Sequence, residues 1–156
     1  MSDHPGSERS GLERQGELMA QIGPMIPERV EGEWTSVVLR RRAVSMYAEQ
    51  ELIVHRPNGA AEKALAPRAV SKLLKELRKV MYTPGGGTWL SLEWTIENNF
   101  GDWSGRTSFN YDDEPSWQEP LNPGMYGLDL EDFPREPENI PLWMQQRLDE
   151  ARRQAE

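Results

Sequence analysis

An amphipathic helix between two runs of alternating residues is the feature that most constrains this fold. Within residues 66–81 the apolar side chains follow helical spacing and form one stripe, while charged residues occupy the other positions. The stripe consists of Val70, Leu73, Leu74, Leu77, Val80 and Met81. Pro67 suits the start of the helix, and Pro84 with the glycines at 85–87 ends it. A helix with a single apolar face must pack that face against another element.

Alternation predicts paired strands on both sides of this helix. Before it, residues 34–39 and 44–54 are rich in β-forming residues, and the three arginines at 40–42 are predicted to form a turn or an exposed edge. After it, residues 89–97 and 103–111 alternate in polarity. Asparagine and glycine residues separate these two runs, so they are predicted to form a hairpin.

The order of elements predicts an α+β fold. Further helices are predicted at residues 12–26 and 141–153, while residues 112–132 contain several prolines and glycines and are predicted to form a loop. The element order is therefore α-β-β-α-β-β-α, which favours an antiparallel sheet with helices packed on it. The chain has 156 residues, enough for one domain, which we place at residues 12–156. The small polar residues of 1–11 predict a disordered tail.

Composition excludes several classes of function. The chain has no cysteine, which removes disulfides, thiol nucleophiles and thiolate metal sites, and two histidines are too few for most histidine-based sites. No apolar run approaches the ~20 residues of a membrane span, and no signal peptide opens the chain. We therefore expect a cytoplasmic protein that is not an enzyme and that uses neither a metal nor a cofactor.

The net charge of -8 is concentrated in the second half of the chain. Residues 79–156 hold 15 acidic and six basic residues, whereas residues 1–78 are nearly neutral. Such a charge distribution repels nucleic-acid phosphates and attracts basic proteins. A solvated acidic face that only aids solubility is the alternative interpretation.

Trp117 lies in the acidic, proline-containing segment and shows no periodic pattern that predicts burial. Exposed aromatic residues beside acids are typical of protein interfaces, although the side chain folding back onto the domain is an equally valid prediction. The neighbouring acids at 112–114 and those at 129–132 are candidate ligands of a hard cation. Their spacing follows no known calcium loop, which argues against that site.

Three parts of the chain resemble the YezG-like family of bacterial immunity proteins. Residues 18–28 match a helix that ends in an Ile-Pro-Glu turn. Residues 87–96 and 107–115 match a strand, a turn and a second strand that ends in tyrosine and acids, which is the family's most recognisable pattern. Residues 130–144 resemble its terminal segment, and the whole resemblance spans roughly residues 12–148.

The resemblance implies a cytoplasmic antitoxin that binds the toxin domain of a cognate effector, often a nuclease. A nuclease cleft binds phosphates and is often basic, so an acidic surface with aromatic residues is suited to block it. The first-choice contacts are Asp112, Asp113, Glu114 and Trp117, and the second-choice contacts are Asp129, Glu131 and Asp132. Neither nucleic acid nor a membrane is an expected partner. A non-catalytic interaction domain with a different basic partner is the alternative.

Overall fold

Two hairpins with a helix between them in sequence are present in the fold, as the sequence predicts. The computed structural model describes residues 4–156, with side chains from residue 11 onward. The strands are β1 (Ser36–Val44), β2 (Tyr47–His55), β3 (Ala61–Ala64), β4 (Ser91–Asn99) and β5 (Asp102–Asn110). The α-helices are α1 (His4–Met25), α2 (Arg68–Val80), α3 (Gly124–Asp132) and α4 (Leu142–Ala155), and a 3₁₀ turn spans Pro137–Asn139. The strands form one antiparallel sheet in the order β3-β2-β1-β4-β5, which confirms the α+β class.

One strand and one α-helix within the described residues were not predicted. Strand β3 pairs antiparallel with β2, from Leu52 opposite Ala64 to His55 opposite Ala61. Its sequence, Ala-Glu-Lys-Ala, has low β-propensity, so the pairing rather than the sequence determines its conformation. Helix α3 lies in the segment predicted to be a loop. Its two glycines lower helix propensity, and contact with α4 supplies the stability that local sequence lacks.

The prediction that the arginines at 40–42 form a turn or an exposed edge is wrong. Strand β1 continues through them to Val44, and both Arg41 and Arg42 are buried. Each has a polar partner across the hairpin: Arg41 Nη1 donates to Gln50 Oε1 at 2.9 Å, and Arg42 Nε donates to Glu49 Oε1 at 2.9 Å. Charge was interpreted as a sign of exposure, but paired charges are tolerated in the interior.

Most of the segment predicted to be a disordered tail, residues 1–11, is helical in the structure. Helix α1 begins at His4, with Pro5 in its first turn, where a missing backbone N–H has no cost. Residues 1–3 lie outside the described part of the chain.

By their internal contacts the residues fall into two units that alternate along the chain. The first comprises the chain up to Leu39 together with Glu51–Met81 and Trp94–Arg106, and the second comprises Arg40–Gln50, Tyr82–Glu93 and Thr107–Glu156.

The core of the first unit is built around the packing of α1 on α2. Val70, Leu74 and Leu77 of the predicted stripe are fully buried, as are Leu18 and Ile22 of α1. Full burial of side chains of this size is worth about 1.5–3 kcal/mol each. The amphipathic pattern of α2 therefore predicted these buried positions, whereas Arg78, which the pattern places off the stripe, is buried as well.

The core of the second unit is a cluster formed by Val44, Leu90, Tyr126 and Met144. Helices α3 and α4 contact each other beside it. Partly buried apolar residues surround the cluster: Trp117, Leu121, Met125, Leu130, Ile140, Trp143 and Leu148. Several of them come from residues 112–132, so the predicted loop contributes to this core.

Candidate functional site

Asp112 and Asp113 lie in a turn directly after β5, and both are exposed. Three hydrogen bonds fix the backbone of this turn. Asn110 Oδ1 accepts from the Asp113 amide at 2.9 Å, while Asn110 Nδ2 donates to the Asp113 carbonyl at 2.8 Å. Trp143 Nε1 donates to the Asp112 carbonyl at 2.7 Å. The two carboxylates are therefore presented to solvent by a turn whose conformation is already set.

Arg135 also stabilises this turn, and only 3% of its side chain is exposed. Its guanidinium donates to the Tyr111 carbonyl at 2.6 Å and to the Asn139 carbonyl at 3.1 Å, and it lies 3.4 Å from Asp112 Oδ1. The side chain passes against Gly87, where an added Cβ would collide with it. The glycines at 85–87 follow the end of α2, as predicted, and the absence of a side chain at Gly87 leaves room for Arg135.

Glu131 and Asp132 are exposed in the last turn of α3. That turn contains no basic residue. The carboxyl end of a helix carries partial negative charge, so acids placed there are unfavourable by about 0.3–1 kcal/mol each. Both carboxylates therefore lie at positions that helix stability disfavours.

Glu114, by contrast, is used inside the fold. Arg147 Nε and Nη2 donate to its two oxygens at 2.8 Å and 2.9 Å, and Tyr126 Oη donates to Oε2 at 3.2 Å. The hydrogen bonds from Arg147 lower the pKa of Glu114 despite its partial burial. A carboxylate held by a bidentate arginine has little capacity left for a partner.

Trp117 also turns inward. Its Nε1 donates to Tyr126 Oη at 3.1 Å, and its ring centroid lies 5.6 Å from that of Tyr47. The side chain packs against the core of the second unit. Of the two orientations predicted for Trp117, the structure shows the one in which it folds back onto the domain.

Asp129 is buried, with 6% of its surface exposed. Its Oδ1 accepts from the Ser45 amide at 2.7 Å, so it supports the turn between β1 and β2. Asp129 therefore differs from the neighbouring exposed acids Glu131 and Asp132. Of the seven predicted contacts, four are exposed carboxylates, which we name the acidic set: Asp112, Asp113, Glu131 and Asp132.

Glu49 is a central polar residue that the sequence analysis missed. It accepts from Arg42 and, through Oε2, from Tyr47 Oη at 2.7 Å. It also accepts from the amides of Gln118 at 2.8 Å and Glu119 at 3.1 Å. Burial alone raises the pKa of Glu49, but these hydrogen bonds outweigh it and lower the pKa to about 2.

A signal for Glu49 was present in the sequence. Arg42 and Glu49 lie at equal distances from the centre of the β1–β2 turn, as do Arg41 and Gln50. Residues at such positions face each other across an antiparallel hairpin. A turn predicted at Ser45, instead of at the arginines, places Arg42 opposite Glu49 and therefore predicts this pair of opposite charges.

The acids considered as cation ligands do not converge. Among the described side chains, those of residues 11–156, no three His, Asp or Glu residues are grouped closely enough to hold a metal ion. The same described residues contain no helix with the length and apolar character needed to cross a membrane. No model of a known protein family matches this chain, and no curated protein matches it either.

Proposed function

We propose that this chain is a cytoplasmic immunity protein that binds a toxin domain, with a nuclease as the neutralised enzyme. The observation that carries the proposal is the exposed Asp112–Asp113 pair on a turn that is fixed by hydrogen bonds. Binding a partner through such a turn costs little conformational entropy, because the backbone is ordered beforehand. The resemblance of the sequence to YezG-like immunity proteins supports a toxin as the partner.

The helix-terminal acids support the same function. Glu131 and Asp132 occupy a helix end where negative charge is unfavourable, and Asp132 is followed by Phe133 with no basic residue in that last turn. Residues that reduce local stability are often retained for function. Carboxylates on a fixed surface are suited to the basic positions at which a nuclease holds phosphate groups. The charge also speeds association, since opposite potentials steer two proteins together.

Co-expression with a candidate toxin domain encoded by a neighbouring gene tests the function directly. We expect the wild-type chain to restore growth of cells that produce the toxin. Growth arrest despite soluble expression of both proteins would refute the immunity function. A different basic partner, or a solvated acidic face that only aids solubility, would then be the remaining interpretations of the acidic surface.

A second experiment tests the acidic set. Purified Asp112→Asn/Asp113→Asn protein should associate with the inactive toxin domain roughly tenfold more slowly at low salt, with a shallower salt dependence. The matched control is Glu13→Gln/Glu28→Gln, which removes two exposed carboxylates from the nearly neutral half of the chain. If the two double variants associate equally fast, the Asp112–Asp113 pair is not part of the contact surface, and the observation that carries the proposal fails.

A further inference from the structure

The turn between β4 and β5 presents a large aromatic side chain to solvent. Phe100 and Gly101 form this two-residue turn, and the Phe100 side chain is fully exposed. Three residues further on, 46% of Trp103 is exposed. We name Phe100, Gly101 and Trp103 the hairpin tip. The Phe100 ring and the exposed part of the Trp103 ring together offer apolar surface to solvent.

Phe100 occupies a backbone conformation that suits other residues better. Its φ is 55° and that of Gly101 is 93°, so both turn residues are left-handed. Turns of this kind favour Asn, Asp or Gly at the first position, because a Cβ is strained there. A bulky ring at this position lowers the stability of the fold in two ways: it strains the backbone, and it exposes apolar surface to water. Strained residues of this kind are characteristic of binding sites.

The base of the hairpin tip is rigid. Asn98 Oδ1 accepts from the Gly101 amide at 2.8 Å, and Asn98 Nδ2 donates to the Trp34 carbonyl at 3.0 Å. The Trp103 ring packs on buried Trp34, with 5.2 Å between centroids. Phe100 is therefore displayed by a turn held on both sides, which limits the entropy lost when a partner binds.

The surroundings of the hairpin tip are acidic. A groove of about 830 Å³ lies beside Phe100, and the described residues that line it include Glu33 and Glu97 but no lysine or arginine. Asp102 is exposed at the start of β5. The nearest cation at Glu97 is Arg106, at 3.3 Å in an exposed pair. Exposed pairs of this kind are weak, so they yield readily to a partner's charge.

The segment that carries Glu33 is itself fixed. Arg56 Nη1 donates to the carbonyls of Glu31 at 2.7 Å and Glu33 at 3.0 Å, while its own charge is balanced by Glu62. Glu31 and Glu33 are both exposed. Arg56 therefore orders an acidic segment at the groove without cancelling its charge.

We propose that the hairpin tip anchors this chain to its partner, with Phe100 seated in an apolar socket on a cationic protein surface. The carboxylates of Glu33, Glu97 and Asp102 face lysine or arginine side chains around that socket. The exposed ring of Trp103 is suited to stack on an arginine. An apolar centre within a charged rim is the arrangement in which a few aromatic residues carry most of the binding energy. This inference rests on the proposed function, because it takes the toxin domain as the partner.

The test compares variants that keep the fold of the turn. Phe100→Asn removes the ring and places a favoured residue in the left-handed position, and Phe100→Tyr keeps an aromatic ring. The matched control is Leu65→Asn, which makes the same kind of change at another exposed apolar residue, 77% exposed, in the first unit. Dissociation rates and Kd are measured with the purified, inactive toxin domain.

We expect Phe100→Asn to dissociate at least about 30-fold faster than the wild type, which is the loss typical of a central aromatic contact. Phe100→Tyr should remain within about threefold of the wild-type rate, and Leu65→Asn should not differ from it. Equal dissociation of Phe100→Asn and the wild type would overturn the hairpin tip as the anchor while leaving the immunity function intact. If the wild type itself does not bind, the proposed function fails, and the assignment of this partner fails with it.

Discussion

Two segments of this protein combine aromatic residues with acids but orient them in opposite directions. In the loop that follows β5, Trp117 packs inward and Glu114 is paired with Arg147. At the hairpin tip, Phe100 is fully exposed and Glu97 forms only an exposed pair. The residue types are the same, so composition alone does not determine which segment forms structure and which displays side chains.

The difference lies in the partners that each segment finds. Glu49 and Arg147 are themselves held by other groups, and they provide the loop with hydrogen bonds that replace those to water. The hairpin tip is anchored by the hydrogen bonds of Asn98 and by the packing of the Trp103 ring on Trp34. Where the polar groups of a loop all have hydrogen-bond partners, an aromatic ring such as Trp117 packs inward beside them. At a turn without such a network, a ring such as Phe100 remains in solvent.

Removal of the Glu49 charge should have the largest effect on stability. The side chains of Glu49 and Arg42 are only 10% and 9% exposed. Glu49→Gln therefore leaves a buried arginine without its carboxylate. We expect a loss of about 3 kcal/mol in the free energy of unfolding, or a drop of roughly 10 °C in Tm. The control is Glu119→Gln, at an exposed position, with a change below about 0.5 kcal/mol. Equal Tm values for the two variants would show that the loop does not depend on this network.

The acid dependence of stability should follow from the same residue. The pKa of Glu49 is about 2 in the folded protein against an ordinary value of 4.5, so its ionised form stabilises the fold above pH 4.5. That contribution is lost as the pH falls from 4.5 towards 2. Denaturant unfolding at several pH values should therefore show the gap between wild type and Glu49→Gln narrowing in this window. A gap that stays constant from pH 5 to pH 2.5 would contradict the lowered pKa.

How far the sequence predicts the structure depends on whether partners lie near in sequence. The stripe of α2 and the β4–β5 hairpin followed from local periodicity, and both are confirmed. Arg41 and Arg42 were misplaced because burial of a charge depends on a partner across the hairpin. Helix α3 was missed because its stability comes from packing on α4.

The candidate site shows the same limit. Exposure of Asp112 and Asp113 agrees with their place just after β5, which ends at Asn110. The inward roles of Glu114 and Asp129 depend on Arg147 and on the Ser45 amide, which are distant in sequence. No spacing rule links such residues, so acids that look alike in a sequence divide into structural and exposed groups only after folding.

The stability of the protein should respond differently to replacement of Trp117 and of Trp103 by phenylalanine. Trp117→Phe removes the hydrogen bond to Tyr126 Oη and some packing against the second core, which should cost about 1 kcal/mol. Trp103→Phe keeps an aromatic ring against Trp34 and should change the free energy of unfolding by less than about 0.5 kcal/mol. Urea unfolding of both variants measures the difference. A larger loss for Trp103→Phe would mean that the hairpin tip supports the fold.

The smallest effect on stability should have the opposite sign. Phe100→Asn replaces a strained residue by one that tolerates a left-handed backbone, and it removes an apolar ring from solvent without emptying any core position. We expect a gain of roughly 0.5 kcal/mol in the free energy of unfolding, measured in urea. Phe100→Ala is the matched control, because it removes the ring but retains a strained Cβ, so it should gain less. A loss of stability in Phe100→Asn would show that the ring packs within the fold, and the reason for assigning it to a partner would disappear. A gain would mean that the chain retains Phe100 against its own stability, which is the behaviour of a residue kept for binding.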